Sequence, residues 1–336
     1  MTKTSLVTVA SSLLGTLLVE TLARRGEPVR ALTFRQEGPQ RCEEVPGCEV
    51  IYSDFGFSTE IDRAMAGVDT VYHLTALQRG WRRDWERSVL APTLERTRRV
   101  LEAAARHGVR RVVLAGTYIT TDYMGRSPLS AESWNPAPAN YYDLTRTRTE
   151  QLAWEIARAR GLEMVSLLPT RMIGPYAYRG KLTASIHLLS SILWNRPLYP
   201  VDFNFHYSFV PVQAVADAAL AASGRGIPGR RYLLLNERFL STGELYEMAK
   251  DYNPRARSPW RPSKATLIRL ARANELLAWV TGVEPLLFVP MIERLYGFVP
   301  EVDCGEAREA LGFVPGDPEA VVREVFAFLA ARRAAA

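Results

Sequence analysis

The feature that most constrains this chain is a short apolar run, Leu6 to Val9, that passes through Ala10-Ser11-Ser12 directly into a helical pattern. Leu13, Leu14, Leu17, Leu18 and Leu22 set that pattern, and Gly26 closes it. A strand, a tight turn and a helix in this order open a βαβ unit, and the chain repeats them. Val29 to Phe34 and Glu49 to Tyr52 read as strands, Thr59 to Ala66 as a helix closed by Gly67, and Val68 to Leu74 as a buried strand. Trp85 to His107 predicts a long helix stopped by Gly108, before a strand over Val109 to Ala115. Tyr142 to Arg160 predicts another, stopped by Gly161, before a strand over Glu163 to Leu168 capped by Pro169. Continuously apolar strands alternating with helices pair in parallel and are covered on both faces, which implies a doubly wound α/β sheet.

Composition narrows the partners. The net charge of +6 comes with arginines crowded between Arg79 and Arg111, an anion-binding face or a solvated one, and no nucleic-acid partner is expected. A solvated helix face accounts for them. The uncharged stretch Leu6 to Val19 is too short to span a bilayer and lacks the flanks of a secretion signal, so no membrane partner is expected. Cys42, Cys48 and Cys304 show no C-x-x-C spacing, which argues against disulfides and a zinc site and for a reducing, cytoplasmic setting.

A turn of this kind binds a dinucleotide when glycines give a tight bend, let backbone N–H groups approach pyrophosphate, and pack helix on strand. Here it reads Thr8-Val9-Ala10-Ser11-Ser12-Leu13-Leu14-Gly15, and only the packing glycine is present. At these residues the chain resembles the extended short-chain dehydrogenase/reductase family, which includes nucleotide-sugar epimerases and dihydroflavonol-reductase-like enzymes and carries T-G-x-x-G-x-x-G. Val9 and Ser12 stand at the two lost glycines. The resemblance implies a Rossmann-type fold, no metal, and NAD or NADP held by Thr8, Ser11, Ser12, Leu13 and Leu14. Valine resists positive φ and serine crowds the phosphate, so both changes oppose cofactor binding. The alternative is a relaxed turn with a shifted phosphate.

Other positions extend the resemblance. The second strand ends at Thr33 and Phe34 without the acid that holds the ribose hydroxyls of NAD, although the next residue, Arg35, can meet a 2′-phosphate. Asp54 matches the aspartate near adenine, and Val71 to Ala76, with Thr75, resembles V-F-H-L-A-A. Thr93 and Arg96 replace Asn and Gly of N-V-x-G-T, and Leu168-Pro169 replaces Arg-Pro before Ile173-Gly174-Pro175. Ala307-Arg308 through Leu311-Gly312-Phe313 and Pro315 resembles the closing A-R-x-x-L-G-x-x-P. His73, at a buried strand end, reads as a packing and hydrogen-bonding residue.

The family's chemistry uses Y-x-x-x-K on a helix, with Ser or Thr after the preceding core strand. This chain offers Tyr142 and Arg146, with Thr117 at the strand end. A spacing of four puts phenol and cation on one helix face, where the cation favours the ionised phenol. Arginine keeps the charge but replaces a compact ammonium by a planar fork, so it is expected to grip a nicotinamide ribose poorly.

From Thr170 the alternation fades. Tyr207 to Val212 and Arg231 to Leu235 read as strands returning to the sheet. This gives a Rossmann-type domain over 1–169 and 205–236, an interleaved substrate domain over 170–204 and 237–329, and an alanine-rich tail, 330–336, expected to fray. The apolar stretch Leu267 to Val280, with Leu286 to Val289 and Met291-Ile292, predicts a lipophilic small-molecule substrate if it lines the cleft. Trp81, Trp85, Tyr118, Tyr123, Tyr176 and Tyr178 are candidates to wall that cleft.

Three readings follow. The first is an enzyme that keeps Tyr142 and Thr117 but runs a non-redox elimination, isomerisation or cyclisation, because cofactor positions are altered. The second is an NAD(P)-dependent reductase or epimerase, and the third is a non-catalytic binding or regulatory protein. The resemblance also implies a homodimer through the helices at Trp85 to His107 and Tyr142 to Arg160.

Overall fold

The structure, a computed structural model, describes residues 3–34, 41–55, 58–75, 84–125, 127–175, 183–196, 201–281, 285 and 287–334. Its first half alternates as the apolar periodicity requires: β1 (Thr4–Thr8), α1 (Leu13–Arg24), β2 (Val29–Thr33), β3 (Cys48–Tyr52), α2 (Ser58–Met65), β4 (Val68–Leu74), α3 (Ala91–Arg106), β5 (Arg111–Ala115), α4 (Tyr141–Arg160) and β6 (Glu163–Pro169). The second half holds β7 (Arg171–Ile173), α5 (Ala184–Leu193), β8 (His206–Tyr207), β9 (Phe209–Pro211), α6 (Val212–Arg225), β10 (Arg231–Leu234) and β11 (Leu240–Ser241). The helices α7 (Thr242–Lys250), α8 (Lys264–Thr281), α9 (Val289–Leu295), α10 (Gly305–Leu311) and α11 (Pro318–Ala334) complete it.

Seven parallel strands form one sheet in the order β10-β6-β5-β4-β1-β2-β3. Helices α1 and α6 pack together against the sheet, and α2, α3 and α4 form a second layer. Two covered faces explain why the strands read as unbroken apolar runs. The order reverses between β1 and β4, so their carboxyl ends flank the crevice where open α/β sheets bind ligands. Gly161 ends α4 in the left-handed conformation, φ +66°, which a side chain would oppose.

Three expectations are corrected. Tyr207 to Val212 does not enter the sheet; it splits into β8 and β9, which pair with β11 and β7. The edge beside β6 is already taken by β10, whose Arg231–Leu234 pairs with Ser166–Pro169. The helix before Gly108 begins as a π-helical turn, Glu86–Leu90, in which the Ala91 N–H reaches the Glu86 carbonyl. Pro92, at the start of α3, has no N–H to give to Ser88 and breaks the regular pattern there. The alanine-rich tail continues α11 to Ala334 rather than fraying, because Val325, Phe326 and Leu329 anchor that helix in a core.

The largest apolar core surrounds the sheet and takes in Ala307 and Leu311 of α10 with Cys304 and Phe313 on either side of it. A second joins α5, α7 and α11 around Phe209, Leu245 and Phe326; a third, small one holds Phe205, Leu267, Ala271 and Ile292. Among the described residues no helix is long and apolar enough to cross a membrane.

One buried ion pair ties α4 to β10. Arg231 Nε donates to Glu150 Oε1 at 2.9 Å, with the side chains 6% and 2% exposed. Arg231 also donates to Thr120 Oγ1 (2.8 Å), Ala131 O (2.5 Å) and Ser133 O (2.7 Å), and lies 3.9 Å from the Trp134 ring centre. Ser166 and Thr120 donate to the Glu150 carboxylate at 2.7 and 2.5 Å.

Candidate active site

The phosphate turn begins at Thr8, whose Oγ1 accepts the Leu74 N–H at 3.0 Å and lies 3.0 Å from His73 Nδ1. His73 Nε2 lies 3.4 Å from Thr97 Oγ1, so one buried chain links β1, β4 and α3 across the switch point. Burial pushes the imidazole down to about 4, and it is neutral near pH 7, as a packing and hydrogen-bonding residue should be.

Val9 takes φ +51°. The backbone therefore keeps the left-handed bend of a glycine, at a cost on the order of 1–2 kcal/mol, and the turn is not relaxed. Its carbonyl accepts the Ser12 N–H at 3.0 Å. Ser12 is the N-cap of α1, and its hydroxyl accepts the Gly15 N–H at 3.1 Å. A Cβ on Gly15 would stand 2.7 Å from Val9 O and 2.8 Å from Ala10 Cα, so the surviving glycine is the one the packing cannot lose. Among the described residues no acceptor takes the N–H of Leu13 or Leu14. Those amides and the positive end of α1 still face an incoming anion. The bend and the free amides of a phosphate turn are thus present, with the Val9 and Ser12 side chains in place of its two glycines.

The ribose side is more altered. Thr33 Oγ1 is buried without a partner among the described residues, and Arg35 lies outside them. The Arg96 guanidinium lies 5.2 Å from the Phe34 ring centre and within electrostatic reach of Asp54. Thr93 turns its hydroxyl back to Val89 O at 2.6 Å. Phe34, Thr93 and Arg96, with Val9, Phe55 and His73, leave a hollow of about 10 Å³.

Thr117 is buried just beyond β5, one strand from the end of β4. Tyr142 lies in the first turn of α4, whose N-cap Asn140 accepts the Asp143 N–H at 2.9 Å. The four-residue spacing brings Arg146 to 5.2 Å from the Tyr142 ring centre. Arg146 Nη1 donates to Thr75 O at 2.7 Å and to Thr75 Oγ1, while its Nε is buried without a partner among the described residues. Thr75, Arg146 and Tyr142 thus meet at the carboxyl ends of the strands, with the cation fastened to Thr75.

Asp143 was not singled out by sequence. It lies on the inward stripe of α4 with Thr147, Glu150 and Trp154, a 4-3-4 spacing that was the available signal. Tyr123 donates to its Oδ2 at 3.0 Å, and burial raises the carboxyl to about 6 against the pull of Tyr123, Asn140 and Arg171. The folded protein therefore holds a proton that the unfolded chain releases above the usual carboxylate range. Asp143 lowers stability as pH rises towards 6. His73, depressed to about 4, lowers stability as pH falls from 6.5, so the two slopes oppose each other. Asp143→Asn is expected to gain about 3 kcal/mol relative to wild type between about pH 4 and about pH 7 in urea unfolding. A pH-independent difference would contradict the assignment.

Beyond Tyr118 and Tyr123, which meet edge to face with centres 5.2 Å apart, opens a cavity of about 330 Å³. Leu188, Phe203, Phe205, Tyr207, Met291 and Leu295 supply much of its wall. Of the apolar stretch expected there, Leu287 and Met291 line it but the α8 part does not: Leu267 and Ala271 pack in the third core, while Leu270, Leu276, Leu277, Trp279 and Val280 are exposed. Periodicity showed an apolar face but not what it packs against. Trp85 stacks on Tyr141 at 4.8 Å, and Trp81, Tyr176 and Tyr178 lie outside the described residues.

Residues 5–234 match the NAD dependent epimerase/dehydratase family, a span that runs from β1 to β10. The chain is 28% identical to sterol demethylase protein B of Methylococcus capsulatus, over 98% of this chain and 99% of that protein. It is 27% identical to dihydroflavonol 4-reductase of Arabidopsis thaliana, over 59% of this chain and 57% of that protein. The structure of UDP-glucose 4-epimerase from Thermus thermophilus with NAD has the same fold, with TM-score 0.70 at 19% identity over 97% of this chain and 98% of that one. The chain belongs to the NAD dependent epimerase/dehydratase family, within the extended short-chain dehydrogenase/reductase enzymes.

Proposed function

We propose that the chain interconverts a hydroxyl and a carbonyl on a lipophilic small molecule in an NAD(P)-linked reaction. The observation that carries this reading is Val9 at φ +51°, which preserves the phosphate turn where its glycine is lost. Thr8, Ser11, Ser12, Leu13 and Leu14 would hold the pyrophosphate, with Asp54 and Thr75 along the same cleft. When bound, the nicotinamide accepts or returns a hydride. Tyr142 takes the proton from the carbinol or returns it to the carbonyl oxygen, and Thr117 hydrogen-bonds that oxygen. Arg146, fastened to Thr75, supplies a fixed positive charge beside the phenol.

The aromatic and aliphatic cavity supports an apolar substrate, and the two relatives are named for a sterol and a dihydroflavonol. A homodimer through the outer faces of α3 and α4, which pack side by side, goes with this reading.

A second reading keeps the Tyr142 and Thr117 pair for a non-redox elimination, isomerisation or cyclisation. It is favoured by the engagement of Arg146 with Thr75, where the family uses its lysine on the nicotinamide ribose. The test is a panel of hydroxysteroids, aryl alcohols and UDP-glucose, each with NAD or NADP, followed by nicotinamide absorbance. Reduction of the nucleotide by an apolar alcohol is expected. Turnover of the nucleotide sugar alone would overturn the reading, and product from an apolar alcohol without nicotinamide would favour the second.

A further inference from the structure

Among the described residues, the apolar cavity carries a single fixed charge, the guanidinium of Arg171. Arg171 opens β7 and pairs with Phe209 of β9, so two strands set its place in the wall. Its guanidinium lies 4.9 Å from the Tyr207 ring centre and makes no hydrogen bond or ion pair with any described residue. It favours the ionised forms of Tyr118 and Asp143, which places it within electrostatic reach of the corner that holds Tyr142.

A half-buried guanidinium with no carboxylate in contact is costly, and its planar fork matches a carboxylate better than any other common group. His206 is the one imidazole among the described residues of the wall, and its Nδ1 is buried without a partner among them. Burial lowers its proton affinity, so it supplies a neutral hydrogen-bonding group rather than a second cation. A nucleoside diphosphate would bring more negative charge than one guanidinium pairs, and more polar surface than Phe203, Phe205 and Met291 satisfy.

We propose that the substrate is an amphiphile whose apolar body fills this cavity and whose carboxylate is bound by Arg171, with the reacting oxygen at Tyr142 and Thr117. This names the substrate class of the reaction above and rests on that reading.

The test is calorimetric titration with lithocholate, a hydroxysteroid carboxylate, and with its methyl ester. Wild type is expected to bind the acid at least about tenfold more tightly than the ester, the effect of a charge-assisted pair. Arg171→Gln is expected to bring acid and ester to parity while keeping the ester's affinity, which also reports an intact cavity. Arg171→Lys, a point charge without the fork, is expected to keep part of the preference. Equal binding of acid and ester by wild type would remove the anchor and leave the apolar-substrate reading standing. A preference that survives in Arg171→Gln, or is unchanged in Arg171→Lys if the glutamine variant does not fold, would also overturn the anchor. Binding of neither compound by wild type would sink both.

Discussion

Tyr142→Phe is expected to lower turnover by about 10²- to 10⁴-fold, the usual contribution of a positioned acid/base, with little change in substrate affinity. The ring stays, so its contact with the Arg146 guanidinium and the start of α4 are retained. What is lost is the proton carried by the phenol, which no neighbour supplies equally well. Tyr141, the adjacent phenol, is exposed and stacked on Trp85, and Asp143 is buried and holds Tyr123. Initial rates and substrate binding, measured separately once a substrate is in hand, check this. Unchanged turnover would remove Tyr142 from the mechanism.

Glu150→Ala is expected to destabilise the fold by roughly 3–5 kcal/mol, the range for breaking a buried charge pair by removing one partner. The variant strands a guanidinium that is 6% exposed and leaves the Ser166 and Thr120 hydroxyls without their shared acceptor. Arg231 also grips the carbonyls of Ala131 and Ser133, so the loss reaches the segment between β5 and α4 that carries Tyr118 and Tyr123. Glu150→Gln, which keeps an acceptor, is expected to cost less. Replacing both Glu150 and Arg231 by apolar residues is expected to cost less than Glu150→Ala alone, because no unpaired charge remains buried. Urea unfolding measures all three, and a loss below about 1 kcal/mol for Glu150→Ala would show that water reaches the pair.

These two residues also show where sequence reasoning works. Tyr142 and Arg146 were readable because a helical spacing of four is a local property, as were the strand and helix limits punctuated by Gly108 and Gly161. The ion pair of Glu150 was not readable, since its partner is 81 residues away in β10. The destination of Tyr207 to Val212 depended on competition for one sheet edge. Asp143 and Arg171 owe their character to burial by distant segments, and the buried face of α8 depended on which core it met. Val9 is the sharpest case. Its side chain argues against positive φ, yet the close packing of Gly15 on the Val9 carbonyl and the Ser12 cap hold the bend.

That turn is also the point on which nicotinamide use depends. Titration of the wild-type protein with NADH and NADPH, followed by nicotinamide fluorescence, tests it directly, with Val9→Gly in parallel. Because the backbone already adopts the bend, saturable binding by wild type is predicted, with affinity in Val9→Gly within a few-fold. Binding that is absent from wild type at millimolar nucleotide, or that emerges only when the glycine is restored, would contradict the account.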